Sequence, residues 1–151
     1  MIIRKARVKD ISEIDRINCF DHQVNGYSGL DEVDKDYDER DAYYRQFIYP
    51  KDSWIYVAEE DGIIGFIMFY IHHRIDYYKI KQVGYIDLVV VDRKHRRKGV
   101  SKMLVEKAEE VFKEKGITHL ALTTHVDNPA HGIWKRHGFK DYRIDMYRKI
   151  I

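Results

Sequence analysis

The chain has 151 residues, 44% of them hydrophobic, and its 27 Lys+Arg nearly balance 25 Asp+Glu, for a net charge of +2. This length and apolar content fit one domain, residues 1–151, and exclude a disordered chain. The near-neutral balance gives no global attraction to nucleic acid or a membrane surface, so any electrostatic specificity has to be local. Ile2 to Ala6 reads as a first strand. Arg4, Lys5 and Arg7 break up any signal-peptide core, and no apolar run reaches transmembrane length. Asp10 with Glu13 three residues on reads as a capping box for a helix whose apolar face is Ile11, Ile14, Ile17 and Phe20. Cys19 lies on that pattern and is expected as a small buried hydrophobe. As the single cysteine it forms no internal disulfide, which makes the cytoplasm the expected compartment.

Residues 21–37 are polar and lack periodicity, and 38–49 reads as a second helix carrying Ala42, Tyr43, Phe47 and Ile48, stopped by Pro50. Residues 54–58 and 63–70 alternate as strands, and Asp61-Gly62 between them is a hairpin signal. Residues 72–82 read as a loop. The run 85–91 is apolar on both faces apart from Asp87, the pattern of a central strand covered on both sides. A helix from Gly99 to about Lys115 puts Val100, Met103, Leu104, Ala108, Val111 and Phe112 on one stripe, and Gly116 ends it. His119 to Thr124 reads as a strand. Asp127 or Asn128 caps a short helix that ends at Gly138, and Phe139 to Ile150 supplies the last strand or strands. The strand-helix-strand unit implies a right-handed crossover to a parallel neighbour. With the hairpin before it, the fold class is a mixed α/β (α+β) sheet with helices on both faces.

Two stretches carry chemistry. In the first, the strand ends at Val91, a turn follows with Arg93-Lys94-His95-Arg96-Arg97-Lys98, and Gly99-Val100-Ser101 opens the helix. The first turn of a helix has N–H groups without intrahelical acceptors, and the helix dipole is positive there. Arg96, Arg97 and Lys98 add charge, and Gly99 allows close approach, so the turn suits a phosphate-bearing ligand. The alternatives are a solvated turn or a nucleic-acid patch, though interleaved aromatic residues are missing. The second stretch is Asn128-Pro129-Ala130 followed by Trp134 and Gly138-Phe139.

Together these stretches resemble the GNAT acyltransferase family. Arg96, Gly99 and the small Ser101 match its acyl-CoA signature, and Asn128, Ala130, Gly138 and Phe139 match its C-terminal motif at the right separation. The resemblance covers residues 54–150 and implies a mainly antiparallel central sheet flanked by helices. It also implies transfer of the acetyl group of acetyl-CoA, as cosubstrate, directly to a primary amine of a small molecule or peptide. Pantetheine contacts would then come from Leu88, Val89, Val90 and Val91, with an N–H near Val89 as oxyanion donor. The pyrophosphate would fall on Arg96, Arg97, Lys98, Gly99, Val100 and Ser101, and Asn128 would bond a pantetheine amide. Trp134 stands where many members carry a tyrosine proposed to protonate the departing thiolate. An indole is no useful acid near neutral pH, so Trp134 is expected to pack beside the pantetheine arm or in the core.

Asp87, the ionisable group within the strand 85–91, is the first candidate for the base; the alternative is a carboxylate paired with an arginine or a backbone N–H. Tyr85 shares its face by strand alternation, and would hold a water or orient the acceptor. His125, past the next strand, is a second candidate base or else a surface histidine. His72, His73, His131 and His137 have no companions at metal spacing, so no metal is expected. The acidic run Asp31 to Asp41 is either a solvated loop or a wall for a cationic acceptor such as a polyamine, an aminoglycoside or a basic peptide. A non-catalytic acyl-CoA-binding regulatory module is the alternative function. No nucleic acid and no membrane are expected as partners, and a homodimer is compatible with the tyrosine-rich composition.

Overall fold

A computed structural model describes residues 1–24, 30, 34 and 36–151, and the side chains of all of these except 19–24. Five strands form one sheet in the order β1 (Ile2–Lys5), β2 (Ser53–Glu59), β3 (Ile63–His73), β4 (Gln82–Val91) and β5 (Leu120–Leu122). Pairing is antiparallel from β1 to β4 and parallel between β4 and β5. The mixed, mainly antiparallel sheet with helices on both faces is the one the sequence predicts.

Each face carries its own core. Helices α1 (Ile11–Val24) and α2 (Arg40–Ile48) cover one face, where Ile11, Ile14, Ile17 and Tyr44 meet Ile55, Val57, Phe66 and Met68. Helix α3 (Val100–Glu114) covers the other, where Leu104, Ala108, Val111 and Phe112 meet Trp54, Ile67, Phe69 and Ile86. The period-two alternation of β2 and β3 sorts residues between these layers, which is why both strands read as nearly continuous apolar runs. The hairpin joining them turns at Asp61 and Gly62, both at positive φ (51° and 121°). α3 closes with Gly116 at φ 76°, the Ile117 N–H reaching back to the Phe112 carbonyl at 3.0 Å, and this buries Ile117 over the helix end. A short helix, α4 (Ala130–Arg136), follows β5.

Several expectations are corrected. The first helix runs on through residues 21–24. It does not start on an Asp10 cap: a 3-10 turn, Val8–Asp10, precedes it, and the Asp10 carboxylate accepts the Arg7 N–H at 2.7 Å. α2 buries Tyr44, not Ala42, because the Tyr44 hydroxyl finds partners on α1: it donates to Asp15 at 3.0 Å and accepts from Asn18 at 2.9 Å. β3 and β4 extend to His73 and from Gln82, so the loop between them spans only 74–81. Met103 is exposed at the edge of the α3 stripe. The expected last strand is absent: residues 139–151 form no strand and, from Lys140 on, are exposed. Asp141, near the start of that segment, is held instead on α4, bonding His131 at 2.7 Å and Lys135 at 3.1 Å. The expectations for the Cys19 and Phe20 side chains, and for Asp31 and Glu32, lie outside the described residues.

Candidate active site

β4 changes character in its middle. Met68 pairs with Leu88 and Phe69 with Ile86, so Asp87 is an extra residue in the strand, a β-bulge. The bulge puts Asp87 and Leu88 on the same face, toward α1 and α2, and restores alternation after them. Leu88 and Val90 then pack on the α1/α2 side, and Val89 and Val91 on the α3 side. The parallel ladder with β5 ends at Ile86–Leu122, so the following part of β4 has no strand on that edge. The Asp92 N–H bonds the Ile64 carbonyl of β3 at 2.8 Å. Antiparallel alternation then turns the amides and carbonyls of Val91 and Val89 away from β3, onto the open edge. The Arg96 guanidinium takes the Val91 carbonyl there at 2.9 Å. The expectation that this strand is covered on both faces is therefore corrected: residues 87–89 are half-buried, because the bulge and the end of the β5 ladder open it.

Asp87 faces a group of aromatic residues. The Tyr43 hydroxyl, from α2, donates to Asp87 Oδ2 at 2.8 Å. Burial, and then the charge of Asp87, push the Tyr43 phenol well above its ordinary range, so it remains a donor. Tyr85 lies on the same face, as alternation predicts, 5.2 Å from the Tyr70 ring, and its hydroxyl bonds Thr123 beyond β5. The sequence pattern places Tyr43 only on a helix face and Tyr70 only in a strand. The bond from Tyr43 to Asp87 is a tertiary contact with no local signal.

The basic turn is a built structure. Asp92 caps a single 3-10 turn, Arg93–His95, and Arg97 and Gly99 both take positive φ (62° and 78°). An arginine at positive φ is uncommon. Gly99 is the N-cap of α3 and offers no side-chain cap, so the first-turn N–H groups point outward with the positive end of a 15-residue helix behind them. A Cβ built on Gly99 meets nothing within 4 Å, so that side of the turn is open. Arg96, Arg97, Lys98 and Ser101 surround it. The Val100 side chain is buried in the core, which leaves only its backbone to face a ligand. An open strand edge, leading to an uncapped helix start flanked by cations, fits an extended ligand with an amide-bearing arm and a phosphate end.

The match to the acetyltransferase (GNAT) family model spans residues 14–139. The chain belongs to the GNAT acetyltransferase family. It is an acyltransferase, of a family that uses acetyl-CoA. Solved structures share its fold at low identity. A tetramutant of the BH1408 protein of Bacillus halodurans is 17% identical with TM-score 0.82, over 99% of this chain and 100% of that one. A predicted acetyltransferase with acetyl-CoA from Clostridium acetobutylicum is 21% identical with TM-score 0.76, over 98% and 95%. The aminoglycoside antibiotic 6'-N-acetyltransferase AAC(6')-IG of Acinetobacter haemolyticus is 21% identical with TM-score 0.74, over 100% and 99%. No curated protein matches the chain significantly.

The remaining candidate residues of this GNAT acyltransferase lie between β5 and the end of α4. The His125 Nδ1 accepts the Asp127 N–H at 3.1 Å, which puts the hydrogen of a neutral ring on Nε2. Asn128 Oδ1 accepts the Ala130 N–H at 2.9 Å at the start of α4. Trp134 packs edge-on against Phe139, with ring centroids 5.4 Å apart, where Gly138 at φ 88° turns the chain back over the helix end. Of the acidic run, Asp34 accepts the Asp36 N–H at 3.0 Å, and Asp41 pairs with Arg45 one helical turn on. Among the described residues no group of three or more His, Cys, Asp or Glu could hold a metal ion, and no helix is long and apolar enough to cross a membrane.

Proposed function

We propose that the chain is an N-acetyltransferase in which a primary amine attacks the acetyl-CoA thioester directly, with Asp87 as general base. The observation that carries this reading is the position of Asp87 on the bulge, beside the unpaired edge of β4. The amine enters as an ammonium, which Asp87 attracts and deprotonates. The freed nitrogen attacks the thioester carbonyl, and as the C–S bond breaks the ammonium of the tetrahedral intermediate passes its extra proton to the departing thiolate, directly or through a water. Trp134 supplies none. The Val89 N–H, facing the open edge, donates to the oxyanion that develops on the carbonyl. Tyr43 holds one carboxylate oxygen of Asp87 and leaves the other for the ammonium. Backbone groups of Leu88 to Val91 and the Asn128 NH2 receive the pantetheine arm, and Arg96 to Ser101 receive the pyrophosphate. The solved aminoglycoside 6'-N-acetyltransferase of this fold supports a small-molecule amine as acceptor.

The test is CoA thiol release from acetyl-CoA against pooled amines and short peptides. Acceptor-dependent release is expected, and Asp87→Asn is expected to lower kcat about 100-fold or more at neutral pH. Release that is independent of acceptor, or an unchanged kcat in the Asn variant, would refute the assignment of the base. The indole at Trp134 favours one second reading, a non-catalytic acyl-CoA-binding module. Tight acetyl-CoA binding without release for any amine is its signature.

A further inference from the structure

The side chains around Asp87 say more than that a base is present. Tyr43, Phe47, Tyr70 and Tyr85 are all half-buried on the α1/α2 side of the sheet, so each ring keeps part of its surface open. They form a continuous line. Tyr43 and Phe47 lie 5.7 Å apart edge-on, Phe47 and Tyr70 6.1 Å apart edge-on, and Tyr70 and Tyr85 5.2 Å apart and tilted. Interplanar angles of 68°, 71° and 37° make this line a curved wall, not a stack. Its polar ends are engaged: the Tyr43 hydroxyl is on Asp87, and the Tyr85 hydroxyl is on Thr123. A carboxylate at the end of an aromatic wall has a definite complement. The carboxylate takes one ammonium, ring faces add cation–π attraction to it, and the rest of the wall takes apolar surface. Among the described residues Asp87 is the only carboxylate that the rings meet, so a second cationic centre on the same ligand would lose water against the rings and gain cation–π attraction alone.

We infer that Tyr43, Phe47, Tyr70, Tyr85 and Asp87 form an acceptor site for a primary amine with a single ammonium on an apolar or aromatic stem, an aralkylamine being the best fit. This rests on the transferase reading above and narrows its acceptor. It selects against polyamines and aminoglycosides, whose several charges ask for several carboxylates. The reaction is unchanged by it. The wall binds the stem, and Asp87 receives the proton.

The experiment compares kcat/KM of the unaltered protein for phenethylamine, butylamine, spermidine and kanamycin at fixed acetyl-CoA. Phenethylamine is expected to exceed spermidine and kanamycin by at least tenfold and butylamine by a smaller factor. Tyr70→Leu is expected to raise the phenethylamine KM about 3- to 30-fold with little change in kcat, and Tyr70→Phe to restore it. Melting curves of both variants show whether they fold. The amine comparison on the unaltered protein decides the matter even if they do not. Release that favours spermidine or kanamycin overturns the aromatic site and leaves the transferase standing. Release with no amine overturns both.

Discussion

Arg4 and Asp10 carry the clearest single-residue electrostatics in the fold. The guanidinium on β1 makes two bonds to the Asp10 carboxylate, at 2.8 and 3.1 Å, and a third to Glu59 at 2.7 Å, while Asp10 also accepts the Arg7 N–H. These bonds to Arg4 hold the Asp10 carboxyl below the usual carboxylate range. Because the folded group titrates below the unfolded one, its stabilisation is complete above about pH 4 and is lost as pH falls through the folded value. Asp10→Ala leaves Arg4 short of a partner and the Arg7 N–H without its acceptor, and is expected to cost about 2–3 kcal/mol at pH 7 in urea unfolding. The deficit against the unaltered protein should shrink below about pH 4; a deficit independent of pH would show that packing, not charge, is lost. The sequence placed Asp10 at a helix start, but the partner that matters is on a strand. Asp87 is the same kind of case. Its isolation in an apolar run marked it as a candidate, but its hydrogen-bond donor, Tyr43, is 44 residues away.

The strands and α3 were legible because burial imposes a period on them. Ile11, Ile14 and Ile17 recur at helical spacing, the α3 stripe includes Leu104, Ala108, Val111 and Phe112, and all seven are buried. Glycine was legible where the backbone needs it, at Gly62, Gly99, Gly116 and Gly138, all at positive φ. Gly84 is different. Its need comes from packing across layers: a Cβ there would lie 2.7–2.8 Å from three atoms of the Phe112 ring. That ring is 1% exposed and packs edge-on against the stacked pair Trp54 and Phe69, so it cannot swing aside. Gly84→Ala is expected to destabilise by about 2–3 kcal/mol, read as a lower urea midpoint with an unchanged slope. A loss under about 0.5 kcal/mol would mean that α3 can move off β4 without cost. The bulge at Asp87 had no such signal, since one inserted residue in an apolar strand leaves the composition unchanged.

Across the whole molecule, the two cores account for the sheet and α1 to α3, and the chain from Lys140 on stands outside both. Ile144, Met146 and Ile150 are 83%, 89% and 80% exposed. Removing residues 144–151 is therefore expected to move the melting temperature by less than about 2 °C, whereas a fall above about 5 °C would place the segment in a packed strand. Tyr142, Ile144 and Met146 alternate with Asp141, Arg143 and Asp145, which is why the segment reads as a strand. Alternation gives a strand its two faces but not a neighbour to pair with, and Asp141 is held on α4 instead. The amino-acid sequence by itself determined the helix stripe, the hairpin, the basic turn before α3 and the α4 stop. Each depends on interactions within a few residues, on side-chain period or on glycine backbone freedom. Only the tertiary structure decided that β4 bulges at Asp87, that the β5 ladder ends at Ile86 and frees the Val89 edge, and that Tyr43 and Tyr70 close on the carboxylate. Those outcomes depend on register and on packing between distant segments, and the energy of a long-range pair leaves no mark on the residues beside it.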